Sequence, residues 1–215
     1  MTEKIDVFYS FRSPYSYLAS RDMLALARDY DIDVHLRVIL PIAVRDPSFF
    51  EPGKLPWAKY ILLDWERRAE FLGMPHVWPT PDPIDIDQNT RVINPDQPLI
   101  YWLSHLGVEA ERRGCGIEFA AAVSGLIFGG TEGWDKGAHM ADVLLPLGLS
   151  LTDMEGAIKS GTHADDIEAN QKALTAVGHW GVPTFAFRGE PFFGQDRVEL
   201  LRWTLDKSDI KRSTP

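Results

Sequence analysis

The sequence has one cysteine, Cys115, in 215 residues. A disulfide within the chain is therefore impossible, and so is a dithiol redox centre. No stretch approaches the roughly 18 consecutive apolar residues of a membrane-spanning helix. The opening MTEKIDVFYS has no basic segment leading into an apolar one, so no secretory signal is read there and a cytoplasmic location is expected. Positive charge is scarce: 22 Lys and Arg against 31 Asp and Glu give a net charge of -9. That balance argues against a nucleic-acid partner, which needs a basic surface to track phosphates. It leaves room for a small anion held by one local cation. The six histidines (His35, His76, His105, His139, His163 and His179) lack metal-ligand spacing, so no metal site is expected. Gly125, Gly129, Gly130 and Gly133 are not followed by Gly-Lys-Ser/Thr, so they make no phosphate loop. Cys115 lies between two glycines with no base near it in sequence, and a catalytic thiol needs one.

What is present reads as one large domain or a domain with an insertion. Residues 4–9 alternate, with Ile5, Val7 and Tyr9 on one face and Asp6 and Phe8 on the other, which predicts a strand. From Pro14 to about Tyr30 the apolar spacing becomes helical, and 33–40 alternate again. A strand–helix–strand opening favours a parallel pair. Five prolines and glycines between 41 and 56 predict a long loop, followed by a helix over 57–72 that stops at Gly73. Further helices are predicted over about 96–113, 116–129, 137–147, 151–160 and 164–178. Residues 184–187 and 191–193 form a predicted hairpin, and 197–205 a closing helix. The two end units can share one sheet only if the helices between them are inserted. The expected fold is α/β: a thioredoxin-like domain of residues 1–40 and 179–215, with a large all-helical insertion of residues 41–178.

The run FYSFRSPYSYLA, residues 8–19, sits where the first strand gives way to the helix. Ser13 followed by Pro14 is a normal helix start, with serine as N-cap and proline at the first helical position. Three pieces of sequence add to this: Phe11-Arg12-Ser13-Pro14-Tyr15-Ser16-Tyr17-Leu18-Ala19; Lys59 through Arg67 leading to Leu72-Gly73-Met74-Pro75; and Gly181-Val182-Pro183-Thr184-Phe185 followed by Phe193-Gly194-Gln195-Asp196-Arg197. In this order, over nearly the whole chain, they resemble the 2-hydroxychromene-2-carboxylate isomerase and kappa-class glutathione transferase group of the DsbA-like thioredoxin superfamily.

The resemblance implies glutathione as cofactor, a conjugated or aromatic organic acid as small-molecule substrate, isomerisation or conjugation as the reaction, and a homodimer. Redox relatives carry Cys-Pro-x-Cys where this chain has Ser13 and Ser16. A serine forms no disulfide, but a hydroxyl at a helix start can stabilise a guest's thiolate. The implied site is Ser13 on the glutathione sulfur, with Val182, before a cis Pro183, offering its backbone to the peptide. Gln195 and Asp196 would lie at the γ-glutamyl end. Asp196 also reads as an N-cap. Relatives often place an asparagine in the loop after the second strand, and residues 41–56 hold none. Lys54 or Lys59 could meet the glycyl carboxylate instead. Arg12 could attract a substrate carboxylate or sit in solvent. Trp57 and Trp180 are candidate contacts for an aromatic substrate, while His179 reads as packing. The acidic stretch 82–87 reads as a solvated loop. A second reading is a redox-inactive module that grips an extended peptide, or another thiol, at the Val182 edge.

Overall fold

The structure, a computed structural model, describes residues 3–46, 48, 53, 55–87, 90, 92–208 and 210. The four strands are β1 (Glu3–Tyr9), β2 (Ile32–Val38), β3 (Thr184–Phe187) and β4 (Glu190–Phe193). They form one sheet in the order β2-β1-β3-β4. β1 runs parallel to β2, with Val7 opposite Leu36, and antiparallel to β3, with Val7 opposite Phe185. β3 and β4 are the hairpin, its tight turn made by Arg188 and Gly189 at positive φ.

The alternation of β1 has a structural cause. Ile5, Val7 and Tyr9 point into the main core, while Phe8 joins Ile39, Leu174 and Ala186 in a smaller core on the opposite face. Both faces of the strand are therefore covered, as a sheet between two layers requires.

Helices α1 (Pro14–Leu18) and α2 (Ser20–Asp29) connect β1 to β2. The single helix expected over 14–30 is broken at Ala19, whose N–H reaches back to both Tyr15 and Tyr17 carbonyls in a tightened turn. Between β2 and β3 come α3 (Ile42–Arg45), α4 (Leu55–Leu72), α5 (Pro98–Arg112), α6 (Gly116–Phe128), α7 (His139–Leu144), α8 (Leu151–Ser160) and α9 (His163–Ala176). α3 was not expected: Pro41 opens it by accepting from the Val44 and Arg45 N–H groups. α4 starts two residues early, with Pro56 in its first turn, where a missing N–H costs nothing. Its end matches expectation, since Gly73 at φ +60 lets the Met74 N–H bond back to Ala69. The chain closes with α10 (Val198–Asp206), preceded by a 3-10 turn over Gln195–Arg197. Asp196 therefore lies inside that turn and is not the N-cap of α10, a correction to the sequence reading.

One core joins β1, β2 and α2 to α5 and α6. Phe11, just past β1, packs edge-on against Tyr9 and Phe119 at 5.5 and 5.7 Å. It fits because α5 carries Gly107 at that point: a Cβ there would lie 2.5 Å from the Phe11 ring. This fixes the segment that leads from β1 into Ser13.

Candidate functional site

The loop after β1, the segment after β2 and the loop before β3 meet at one end of the sheet. The first half of α4 and the loop around Trp78–Asp82 complete the walls. Together they enclose a cavity of about 1120 Å³. Pockets for one ligand run from roughly 300 to 1,000 Å³, so the space has room for two ligands from the lower half of that range.

Ser13 lies in this wall. It has extended backbone (φ -84, ψ 116), and its Oγ accepts from the Ser16 N–H at 3.1 Å. It is therefore a true N-cap. A hydroxyl both accepts and donates, and the Ser13 proton has no acceptor among the described residues. Pro14 has no N–H, and the Tyr15 N–H has no partner among the described residues. Two donors are thus left at the start of α1. With the break at Ala19, α1 is only five residues long. The positive end is carried by these local donors more than by a long macrodipole. Ser16 differs: it is fully buried, outside the cavity wall, with its Oγ 3.5 Å from the Ser10 N–H.

Across from Ser13, Val182 lines the cavity. The Val182-Pro183 bond is cis, as is Thr80-Pro81. Pro183 sits behind, its carbonyl accepting from the Gly194 N–H at 2.9 Å. Neither the N–H nor the C=O of Val182 is bonded to another described residue, so both are open to a guest backbone. Trp57 and Trp180 also line the cavity, their rings T-shaped at 5.6 Å. His179 stacks between Trp180 and Phe193, at 5.6 and 4.0 Å, and accepts from the Gly181 N–H. Its role is packing. Burial lowers its pKa, against the pull of that hydrogen bond.

Arg12 is in the cavity wall but neither free nor solvated. Its Nε and Nη2 donate to the two oxygens of Asp82 at 2.8 and 2.9 Å, and its guanidinium lies 5.2 Å from the Trp78 ring centre. This corrects the reading that leaves Arg12 in solvent. The acidic stretch 82–87 is solvated only in part: Asp85 and Asp87 are exposed, whereas Asp82 further accepts from Trp78 Nε1 and the Ile84 N–H, and Ile84 and Ile86 are buried. The pair is a fixed wall element whose charges cancel.

Tyr15 and Tyr60 line the cavity and share one carboxylate. Tyr15 donates to Asp64 at 2.8 Å and Tyr60 at 3.3 Å. Burial, then the bond to Asp64, pushes the Tyr15 hydroxyl well above its ordinary value, with Asp196 adding to the effect. Tyr15 therefore stays a phenol and a hydrogen-bonding group.

Of the remaining predicted residues, Gln195, Asp196 and Lys59 lie outside the cavity wall. Gln195 is buried and receives Arg68 at 2.8 and 3.2 Å. Asp196 is exposed and paired with Arg197 at 2.7 Å. Lys59 is exposed on α4 and does not line the cavity. Lys54 lies outside the described residues. The sequence reading missed Tyr15, Tyr60, Asp82, Phe193 and Arg45 as lining residues. For Arg45 there was one signal: a cation in the loop that lacks the relatives' asparagine. Cys115 is far from this chemistry. Burial raises its pKa, and its Sγ sits 3.6 Å from the Ala110 carbonyl. Among the described residues no group of three or more His, Cys, Asp or Glu could hold a metal, and no helix is long and apolar enough to cross a membrane.

Residues 4–206 match the family model of the DsbA-like thioredoxin domain. The chain is 25% identical over 213 residues to 2-hydroxychromene-2-carboxylate isomerase from Pseudomonas putida, covering 94% of each protein. In structure it is similar to a 2-hydroxychromene-2-carboxylate isomerase, with a TM-score of 0.69 at 22% identity over 95% of both chains. It is also similar to a probable DsbA oxidoreductase from Streptomyces coelicolor, with a TM-score of 0.65 at 14% identity, over 99% of this chain and 92% of that one.

Proposed function

The chain belongs to the DsbA-like thioredoxin family, and from that premise we propose that it is a glutathione-dependent isomerase or transferase acting on a conjugated or aromatic organic acid. One observation carries the reading. The residue where redox relatives keep their first cysteine is a serine whose hydroxyl proton is uncommitted, in the wall of a cavity large enough for two guests. Dithiol exchange is chemically closed to Ser13 and Ser16. Binding a thiol that arrives with the guest is not. Similarity to 2-hydroxychromene-2-carboxylate isomerases over almost the full chain supports the same choice.

Glutathione would supply the thiolate nucleophile. The Ser13 hydroxyl and the Tyr15 N–H would donate to its sulfur and favour the thiolate, because charge-assisted hydrogen bonds select the charged form. Val182 would pair with the guest's cysteine backbone through its open N–H and C=O, as an added strand does. Asp196, beside Tyr15 and open to solvent, suits the α-ammonium end, and Gln195 would orient that turn through Arg68. Trp57 and Trp180 would hold a flat acceptor. The protein thus contributes positioning and preorganised donors. Attack, bond rotation and expulsion give isomerisation; attack without expulsion gives conjugation. We extend the proposal to a cytoplasmic homodimer, and to residues 1–40 and 179–215 as the thioredoxin-like unit around the helical insertion of residues 41–178.

The deciding experiment is calorimetric titration with reduced glutathione of the wild type and of Asp196→Ala. Micromolar to low-millimolar binding, weakened in the variant, is the expected result. Absence of binding to the wild type would overturn the proposal. The open backbone of Val182 also suits an extended peptide, so a peptide without the γ-linkage that binds more tightly than glutathione would favour the binding-module reading.

A further inference from the structure

The cavity wall holds two arginines in different electrostatic states. Arg12 is cancelled by Asp82 in a two-point ion pair. Arg45 is paired with no carboxylate among the described residues. Its Nε donates to the Leu40 carbonyl at 2.8 Å and its Nη2 to the Trp180 carbonyl at 3.0 Å. Carbonyls orient a guanidinium but leave its full charge uncancelled. Three of its five N–H groups, both on Nη1 and one on Nη2, have no partner among the described residues. Its neighbour Asp46 also lines the cavity, but accepts from the N–H and hydroxyl of Ser48. Burial lowers the Arg45 pKa, with Asp46 acting against it, yet an arginine stays a cation at any working pH. A partly buried cation held by carbonyls, with a carboxylate only nearby and not paired to it, is costly to maintain. An anionic guest relieves that cost.

We propose that Arg45 is the receptor for the substrate's carboxylate and selects aromatic or conjugated acids over their neutral analogues. The inference rests on the functional reading above for its second guest. Position favours the acid over the carboxylates of glutathione. Arg45 is tied to the carbonyl of Trp180, and the Trp180 ring meets Trp57 in the same wall. A carboxylate on Arg45 therefore carries its attached group towards two indoles, a surface suited to a planar π-system. A planar fork with free N–H groups on both terminal nitrogens also matches a carboxylate at two points.

The test is calorimetric binding of trans-cinnamate and trans-cinnamamide, two guests of one shape that differ in charge. It is run on wild type, Arg45→Met and Arg45→Lys. The wild type should prefer the acid by about 10- to 100-fold, the range for a hydrogen-bonded charge. Arg45→Met should bind both equally while keeping its affinity for the amide, which shows that the wall is intact. Arg45→Lys should recover part of the preference. The proposal is overturned if the wild type does not discriminate, if Arg45→Met keeps the preference, or if that variant loses the amide as well. A parallel glutathione titration separates the two readings. If Arg45→Met loses glutathione but still prefers the acid, the cation serves glutathione and the proposal fails. If the wild type ignores glutathione while the acid preference disappears with Arg45, the thiol reading fails and this one stands.

Discussion

Ser13 carries two roles that substitution can separate. As an N-cap it holds the Ser16 N–H at 3.1 Å. Ser13→Ala removes that acceptor and should cost about 1 kcal/mol of stability, whereas Ser13→Gly should cost only a few tenths. Its backbone, φ -84 and ψ 116, suits either residue, so strain does not confuse the comparison. The proposed thiolate role depends on the hydroxyl proton, which both variants lack. A hydrogen bond to a charged group is worth about 1.5–3 kcal/mol. At 1.36 kcal/mol per unit, its loss should raise the pKa of the bound thiol by about one to two units. Stability would be read by chemical denaturation. The thiol would be read by ultraviolet absorbance of the thiolate against pH, at saturating glutathione. Alanine and glycine should differ in stability yet agree in thiol pKa. If both variants bind glutathione with the wild-type pKa, the serine is only a cap and the thiolate role is wrong.

Two further perturbations probe the scaffold. Gly107→Ala would place a Cβ 2.5 Å from the buried Phe11 ring. It should destabilise the fold by about 1–3 kcal/mol through overpacking, lowering the denaturation midpoint with an unchanged m-value. Glu109 is buried against His163 at 2.9 Å and Arg113 at 2.8 Å. Burial opposes its ionisation, but those two bonds prevail and hold its pKa below the ordinary glutamate value. A depressed carboxylate contributes stability that is full above its unfolded pKa and is lost as pH falls through the folded one. Glu109→Gln should therefore destabilise most at neutral pH, with its stability curve converging on the wild type as pH falls below the ordinary glutamate range. A gap that begins to close above that range would refute the assignment.

How much of this was legible in the sequence follows from how far each partner lies along the chain. β1 declared itself because its two faces enter two different cores, and the hairpin because Gly189 marks its turn. Ser13 and Val182 stand out by the resemblance, and Trp57 and Trp180 as loop-region tryptophans near them; all four line the cavity. Arg12 could not be read correctly, since its partner Asp82 lies 70 residues away. Arg45 was passed over for a related reason. Prolines on either side of it signal a loop, and nothing local shows that a carbonyl 135 residues further on will draw it into the cavity. Lys59 falls outside the cavity wall although Tyr60, Ile61 and Leu62 beside it line the cavity, and helical spacing alone does not say which face of α4 turns towards it. The break at Ala19 is a backbone event that side-chain periodicity does not register.

The two serines of the opening motif also diverge for a physical reason. A dithiol centre needs both positions to communicate. Neither can form a disulfide here, and only the outer one lines the cavity. Ser16 is fully buried and its hydroxyl looks towards the Ser10 N–H, so it belongs to the frame. Ser13 lines the cavity, and its hydroxyl proton has no acceptor among the described residues. The electrostatics of the walls match that division. In a chain of net charge -9, long-range attraction of anions is weak, so the anionic thiol and anionic acid of the proposed function would have to be captured at short range. The site contains suitable donors at two separate points: hydroxyl and amide at the start of α1, and the uncancelled guanidinium of Arg45. A cavity of about 1120 Å³ between them leaves room for both guests to meet.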